Sequence, residues 1–431
     1  MRHGREIAAI AIPAIVSNIT TPVLGLVDIA VAGRIGEAVF IAAIAVGGTM
    51  FNLLYWMFNF LRMGTGGLTA QAFGASDRRR ITLTLLRSVV LAAGAGAVLM
   101  LAGRFIADVL LEFLKPDSAV GALARIYFDV CIFGAPAVMF GYVLSGWFIG
   151  MQNSRAPMWM AVLTNVVNIL LSPLLVFRFG MGIEGIAVAT LAGQWSGLLL
   201  GVFIMLKRYT FVKFNWREVF DTEALVRFFR VNTDIFLRTV CLVGVTLWFT
   251  HAGAIQGTGI LAANALLLQL FMLTSFFMDG IAFAGEALGG KYSGRGDVDG
   301  LQTLVASLLR LGLLCALTFS LVFAIGGKSI LSLLADSRDV VDVALEYLPW
   351  AVAVPLCGFM AFVFDGVFIG LTRTRAMLTA MIAASLVFFA VFFSLTAVLK
   401  NNALWLAFDI YLLLRGIVEY VFFRMKCGTK R

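Results

Sequence analysis

Residues 18–37 read NITTPVLGLVDIAVAGRIGE and contain one internal carboxylate, Asp28, near the end of an apolar run that begins at about Ile7. A helix of about 20 apolar residues is long enough to cross the hydrocarbon core of a bilayer. A charge at the centre of such a helix costs roughly 2.5–3.5 kcal/mol, so acids found there are usually paired or bind an ion. Asp28 is therefore predicted to be a protonatable or cation-binding residue. An aspartate solvated by lipid headgroups at a helix end is the alternative.

The composition assigns the chain to the membrane proteins. Of its 431 residues, 61% are hydrophobic and 13% are charged, whereas soluble domains are roughly 45–50% apolar and about 25% charged. The net charge of +9 comes from basic residues in short loops between apolar segments, which argues against a nucleic-acid partner. Five scattered cysteines and two histidines indicate neither a disulfide framework nor a metal site, and no cofactor is expected.

Apolar segments of spanning length alternate with short polar segments along the whole chain, which predicts an all-α polytopic protein with about twelve transmembrane helices. The predicted spans are the first helix and segments 38–61, 81–108, 121–150, 156–177, 185–206, 224–251, 258–290, 301–325, 340–370, 376–399 and 402–424. Most lysines and arginines of the loops fall on the side of the N-terminus. By the positive-inside rule, both termini are predicted to be cytoplasmic in a multi-pass protein of the inner (cytoplasmic) membrane. We expect a monomer.

Internal echoes indicate that the chain is built from two repeats. WFIGMQNSRAPM at 147–158 is echoed by VFIGLTRTRAML at 367–378, an offset of 220, and QAFG at 71–74 by EALG at 286–289, an offset of 215. The echoes predict two six-helix lobes related by a pseudo-two-fold repeat, residues 1–206 and 225–431. Between them, residues 207–224 mix basic and aromatic side chains, which is typical of an amphipathic linker on the cytoplasmic membrane surface.

Several charged residues lie inside otherwise apolar segments. Three pairs of opposite charge are four residues apart and are predicted to form ion pairs within one helix: Asp234 with Arg238, Arg125 with Asp129, and Arg415 with Glu419. Asp279 and Asp365 lack such a local pair, so they are second-tier candidates for a site in the C-terminal lobe.

Residues 164–172, TNVVNILLS, carry a polar stripe within an apolar segment. Asn165, Asn168 and Ser172 are three and four residues apart, so they share one helix face. Stripes of this kind often hold membrane helices together. Placed against Asp28, the same stripe could instead complete a hydrogen-bonded cavity and form a cation site.

Five segments together resemble one known family: LGLVDIAVAGRIG, LRMGTGGLTAQAFGA, NTDIFLRT, MDGIAFAGEALGG and DGVFIGLTRTR. They are similar to the DinF-like branch of the multidrug and toxic compound extrusion (MATE) transporters, in the right order and over nearly the whole chain. The resemblance implies a twelve-helix antiporter, not an enzyme. Such a protein exports cationic or amphiphilic organic compounds in exchange for protons or sodium.

The resemblance also implies roles for individual residues. Asp28 matches the coupling acid of the family's first helix, and Pro13 matches the proline at which that helix bends. Asn168 and Thr190 match two further polar positions, but Ser172 stands where archaeal-type members have a second aspartate. Because a hard cation prefers charged oxygen ligands, a single carboxylate favours protons over sodium as the coupling ion.

Two other functions are weighed against drug export. A flippase for lipid-linked oligosaccharides or lipid II would need a cavity rich in arginine and lysine to bind diphosphate, and the intramembrane bases are few. A membrane-embedded transferase would need acids with a metal or nucleophile in a sizeable loop, and the sequence offers no such loop. No catalytic residues are assigned.

Overall fold

The computed structural model describes residues 2–34, 38–335 and 337–428, so residues 35–37 of the opening stretch lie outside it. Within these ranges the regular secondary structure is helical. The helices are α1 (Arg2–Gly33), α2 (Ala38–Phe58), α3 (Phe60–Gly74), α4 (Arg78–Leu101), α5 (Gly103–Leu114), α6 (Ser118–Cys131), α7 (Ala135–Gly150), α8 (Arg155–Pro173), α9 (Gly182–Arg208), α10 (Trp216–Val219), α11 (Thr222–Ile255), α12 (Thr258–Arg295), α13 (Val298–Leu334), α14 (Arg338–Gly370), α15 (Thr374–Leu399) and α16 (Asn401–Gly428).

Each predicted span corresponds to one helix or to two consecutive helices. Ten helical stretches among the described residues are long and apolar enough to cross a membrane. The two remaining predicted spans are α1 and α16, with 32 and 28 residues, which exceeds the ~20 residues that a crossing needs. An all-helical membrane protein follows, because a helix pairs its own backbone groups where water is absent.

The helices group into two compact units. One contains the chain up to Ala11 and from Thr233 onward, and the other contains Ile12–Asn232. The boundaries fall inside α1 and α11, so the first turns of α1 belong to a different unit from the rest of that helix. The predicted division into 1–206, 207–224 and 225–431 stays a prediction.

The internal repeat has an offset of 220 residues. Asp77 and Asp297 each cap a helix by accepting a hydrogen bond from the amide three residues later, at 2.9 and 2.8 Å. The turns before these caps have positive φ at Ser76 (57°) and Gly296 (73°). A second pair of turns has positive φ at Gln152 (62°) and Thr372 (49°). The predicted echo of QAFG with EALG at 215 is therefore out of register, and its resemblance is incidental.

Glycines at the same offset let helix backbones touch. A Cβ at Gly146 would overlap the carbonyl oxygen of Arg62, and a Cβ at Gly366 would overlap that of Ala282. One turn later, Gly150 and Gly370 contact the backbones of α3 and α12 in the same way. Small residues four apart permit this approach, which membrane helices use because lipid supplies no hydrophobic drive for their association. The glycine pairs thus dock α7 on α3 and α14 on α12.

This packing generates a prediction on α14. In Gly366→Ala the added methyl group meets backbone that cannot move aside, and overpacking of this kind costs about 1–3 kcal/mol. In the matched control Gly358→Ala, the nearest atoms are 3.6 Å from the new Cβ, and replacing a helical glycine stabilises by roughly 0.5–1 kcal/mol. We therefore expect Gly366→Ala to lower the Tm measured by thermal unfolding in detergent, and Gly358→Ala to leave it unchanged or raise it. Equal shifts in both variants would contradict the docking role.

Candidate functional site

Asp28 lies on α1 with 5% of its surface exposed and contacts α8. The hydroxyl of Ser172, itself fully buried, lies 3.4 Å from Oδ1 of Asp28 and 3.3 Å from Oδ1 of Asn168. One hydroxyl proton therefore has two acceptors at nearly equal distance. The structure thus brings Asp28 together with Asn168 and Ser172, which lie 140 and 144 residues further along the sequence.

Thr190 of α9 extends this group. The Nδ2 of Asn168 donates to Oγ1 of Thr190 at 2.9 Å, and Thr190 donates to the carbonyl of Ile186 at 3.0 Å. The two helices approach closely because α9 presents Gly193 and Gly197 to α8, and a Cβ at either position would collide with Thr164. We call Asp28, Ser172, Asn168 and Thr190 the Asp28 cluster.

Asn165 does not contact the carboxylate. Its Nδ2 donates to the backbone carbonyl of Thr20 at 3.0 Å. Asn165 and Ser172 therefore hold α1 at two points, Thr20 and Asp28, which are eight residues or about 12 Å apart along the helix. Of the predicted polar stripe, one residue fastens the helices together and two belong to the Asp28 cluster.

The end of α8 is irregular where it meets Asp28. Pro173 follows Ser172 directly, and residues Leu174–Arg178 continue as a π-helical turn. Proline donates no backbone hydrogen bond and π-turns interrupt the regular ladder, so such segments are frequent at functional sites. The polar face of α8 thus ends where the regular backbone hydrogen bonding of the helix is interrupted.

The electrostatic environment of Asp28 is costly for a charge. Among the residues that the structure describes, no lysine or arginine forms a salt bridge with it. Its hydrogen-bonding neighbours are neutral: the hydroxyl of Ser172 lies at a long 3.4 Å, and the side chain of Asn168 lies beside it. Burying an ionised carboxylate without a paired charge is strongly unfavourable. Binding a proton or a cation would remove that charge.

Two residues near Asp28 were not predicted from the sequence. Tyr127 and Cys131 of α6 are buried and lie within electrostatic reach of the Asp28 carboxylate. The ring of Tyr127 covers Gly47 of α2, where a Cβ would overlap it. Their signal in the sequence is weak, since a tyrosine or cysteine in an apolar helix is ordinary core material.

The C-terminal unit holds a second buried polar group around Asp365, which is 7% exposed. Its carboxylate accepts hydrogen bonds from Nε of Arg238 at 3.3 Å and from the guanidinium NH₂ groups of Arg238 and Arg415. We call these three residues the Asp365 cluster. With two guanidinium groups bound to it, Asp365 is already neutralised. It is therefore a weaker candidate for binding a transported cation than Asp28.

Two of the predicted intrahelical ion pairs are wrong. Asp234 accepts a hydrogen bond from Thr374 at 2.8 Å instead of pairing with Arg238, and Arg415 binds Asp365. Glu419 is fully buried and neither of its carboxylate oxygens has a hydrogen-bond partner. Arg238 and Arg415 both bind the carboxylate of Asp365, which lies on another helix, and not the acid four residues away on their own helix. The third pair, Arg125 with Asp129, is confirmed at 3.2 Å.

The remaining candidates lie apart from the Asp28 cluster along the chain. Asp279 is half-buried on α12, seven residues before the buried Glu286. Pro13 is buried inside α1, which continues through it. It comes two residues after Ala11, the last residue of α1 that belongs to the other unit. Within the described ranges, no group of three or more histidine, cysteine, aspartate or glutamate residues could hold a metal ion.

Comparison with known proteins agrees with this architecture. A family model described as MatE matches residues 13–174 and 235–394, one match in each half of the chain. DNA damage-inducible protein F of Escherichia coli (strain K12) is 36% identical over 415 residues, which cover 95% of this chain and 89% of that protein.

Solved structures give the same result for the fold. A structure described as the outward-facing conformation of a multidrug resistance MATE family transporter has a TM-score of 0.89 at 19% identity, covering 98% of this chain and 96% of that one. One described as MATE in the straight conformation has a TM-score of 0.87 at 19% identity, covering 99% and 96%. The predicted all-α fold of twelve membrane helices in two lobes is confirmed.

The geometry of the Asp28 cluster generates a prediction about Asn168. Asn168→Ala removes the amide that bonds Thr190 and accepts from Ser172, leaving buried polar groups without partners, which costs roughly 1–3 kcal/mol. The matched control is Val166→Ala on the same helix, where the side chain is 44% exposed. We expect a lower Tm in detergent for the first variant alone. A parental Tm in Asn168→Ala would mean that the hydrogen bonds do not hold α8 to α9.

Proposed function

The chain belongs to the MATE family of membrane transporters, and from this premise we propose that it exports cationic or amphiphilic organic compounds in exchange for protons. The observation that carries the proposal is the Asp28 cluster. It contains a buried carboxylate whose polar neighbours, Ser172 and Asn168, are neutral and which forms no salt bridge among the described residues. The related structure described as a multidrug resistance transporter supports drug-like compounds as the substrate class.

Protons are favoured over sodium by the ligands that the cluster offers. A hard cation such as sodium is held best by several charged or carbonyl oxygens. Asp28 is the one carboxylate of the cluster, and the amide of Asn168 and the hydroxyls of Ser172 and Thr190 already bond one another. A proton needs no further ligand.

The hydroxyl of Ser172 supplies a simple response to protonation. When Asp28 is ionised, Ser172 donates to it. When Asp28 carries a proton, it can donate to Ser172, and the Ser172 proton is released toward Asn168, which lies 3.3 Å away. Each protonation state of Asp28 therefore favours a different hydrogen-bond arrangement between α1 and α8.

Helix α1 is the element that carries this response toward the other unit. Its first turns are anchored by Glu6, which lies 3.5 Å from Nζ of Lys291 and accepts a hydrogen bond from the hydroxyl of Tyr292 at 3.3 Å. The same hydroxyl lies 3.3 Å from Nδ1 of His3. Beyond Ala11 the helix belongs to the unit that contains Asp28. Pro13 lacks a backbone donor, so we propose the bend there.

The energetics of one-proton exchange are sufficient for export. When the proton is exchanged for a neutral amphiphile, one elementary charge moves through the membrane potential, and 100 mV supplies about 2.3 kcal/mol, a concentration ratio of roughly 50-fold. When it is exchanged for a monovalent cation, the two charges cancel, and the pH gradient supplies about 1.4 kcal/mol, a tenfold ratio, per pH unit. The orientation that makes this exchange an export is the predicted one, with both termini cytoplasmic in the inner membrane. The chain is proposed to act as a monomer.

A flippase for diphosphate-linked lipids is the alternative with less support. It would need free guanidinium groups to bind diphosphate. The two buried arginines of the Asp365 cluster are both bound to a carboxylate.

The function is tested by transport in proteoliposomes that contain the purified chain. A fluorescent organic cation is followed under separately imposed proton and sodium gradients. We expect transport to follow the proton gradient in the parent and to fall at least tenfold in Asp28→Asn, which keeps the shape but cannot release a proton. Glu112→Gln, which removes an exposed carboxylate on α5, is the control and should match the parent. Movement driven only by sodium would overturn proton coupling, and equal activity in Asp28→Asn would overturn the role of Asp28.

The ligand argument gives a second test. Ser172→Asp adds a carboxylate beside Asp28 and provides the two charged ligands that the natural chain lacks. In the same assay, this variant should gain dependence on the sodium gradient. Ser172→Asn changes the side chain without adding charge and should not gain it. If both variants respond identically to sodium, the number of carboxylates does not determine the coupling ion.

A further inference from the structure

The unit formed by Ile12–Asn232 contains an apolar cavity of about 550 Å³ away from the Asp28 cluster. Its walls come from α4, α7 and α9, and residues such as Leu85, Leu144 and Leu198 line it. Phe211 and Phe214 of the chain after α9 form its roof. The side chains of the lining are apolar except Thr82 and Trp195. We call this cavity the roofed groove.

The roof is fastened to α4 by polar contacts. Arg79 donates two hydrogen bonds to the carboxylate of Glu218, at 2.9 and 2.7 Å, and Arg87 donates to the carbonyls of Glu218 and Val219 at 2.6 and 3.0 Å. The Arg79 guanidinium holds the pKa of the Glu218 carboxyl below its usual value, so this carboxylate is ionised at neutral pH. The segment that covers the groove is therefore held in place at its far end.

The near end of the roof is fastened as well. The hydroxyl of Tyr209 accepts a hydrogen bond from Nδ2 of Asn153 at 2.9 Å. The rings of Tyr209 and Phe211 pack on Trp147, with centroids 4.8 and 6.0 Å away. Because the segment is anchored at both ends, Phe211 and Phe214 are held in place over the groove.

The length of the groove matches one leaflet of a bilayer. Along α9 its lining runs from Trp195 to Leu206, eleven residues or about 16 Å at 1.5 Å per residue. The hydrocarbon core of a bilayer is about 30 Å thick, so one leaflet contributes about 15 Å. A lipid acyl chain therefore has the length and the apolarity that the groove accommodates.

Charge at the roof end indicates which headgroup accompanies that chain. Four cationic side chains there are exposed: Lys207, Arg208, Lys213 and Arg217. Trp216 and Phe220 are 56% and 55% exposed, as expected of aromatic residues at a membrane–water boundary. Each lysine or arginine near a membrane surface attracts anionic lipid by about 1 kcal/mol.

We propose that the roofed groove binds a phospholipid with an anionic headgroup, one acyl chain lying between α4 and α9 and the headgroup contacting the basic residues of the linker. A transported organic cation is not the occupant, because the lining contains no carboxylate and the cations at the mouth repel it. The site is thus distinct from the Asp28 cluster. It gives the amphipathic linker a lipid ligand in addition to a membrane surface.

The test uses the full-length chain in detergent micelles and phosphatidylglycerol with a photoactivatable group on one acyl chain. Cross-linked peptides are identified by mass spectrometry. We expect labels on the groove-lining residues of α4 and α9. Leu198→Trp, which fills the groove, should reduce that label at least fivefold. Leu199→Trp, at the adjacent position with 62% exposure, should not.

Competition on the parent chain keeps the test independent of variant folding. Unlabelled phosphatidylglycerol should displace the probe at lower concentration than phosphatidylcholine with the same acyl chains. Lys213→Gln should weaken the binding of phosphatidylglycerol about fivefold. Labels spread evenly over all lipid-facing helices, or unchanged in a folded Leu198→Trp, would overturn the groove as the site. Equal displacement by both lipids would overturn the anionic headgroup.

Discussion

The hydrocarbon of the bilayer offers no hydrogen bonds, and this constraint shapes each polar feature inside the protein. A polar side chain in a span bonds either to its own helix, as Thr190 does to the carbonyl of Ile186, or to another helix. Ser172 turns to Asp28, and two arginines converge on Asp365. The two groups differ in how completely the charge is compensated. Asp365 is bound by two fixed guanidinium groups, whereas the polar neighbours of Asp28 are the neutral side chains of Ser172 and Asn168.

The internal repeat preserves the scaffold and changes the chemistry. At an offset of 220 residues, the capping aspartates, the positive-φ turns and the docking glycines recur. The site residues do not: the positions that correspond to Asp28 and Ser172 are Trp248 and Phe392, and the one that corresponds to Asp365 is Ser145. Backbone contacts and turns determine how the helices pack, so they must recur. Side chains that face the interior of each bundle can differ, so Asp28 has no carboxylate at the corresponding position of the other repeat.

Much of the fold was predictable because hydropathy and helix length act locally along the chain. Each of the twelve predicted spans lies in helix, and the match between Asp28, Asn168 and Ser172 followed from helix periodicity together with the family resemblance. The wrong or missed predictions have three separate causes. The i,i+4 rule considers one helix, whereas Arg238 finds its partner 127 residues away. The echo at an offset of 215 failed because short runs of small residues recur by composition alone. Tyr127 was not predicted as a neighbour of Asp28 because an uncharged tyrosine in an apolar helix gives no sign of a site.

The division of α1 between the two units explains why an acid on this helix suits a coupling role. A group that titrates inside one rigid bundle changes only its own neighbours. Asp28 is on a helix whose first turns belong to the other unit, where Glu6 contacts Lys291 and Tyr292. A proline removes one backbone hydrogen bond and eases bending, and Pro13 lies two residues after the boundary. The hydrogen bonds from α8 to Thr20 and Asp28 hold the portion beyond that proline, so under the proposed mechanism a change in protonation alters the restraint on α1, one of the two helices that both units share.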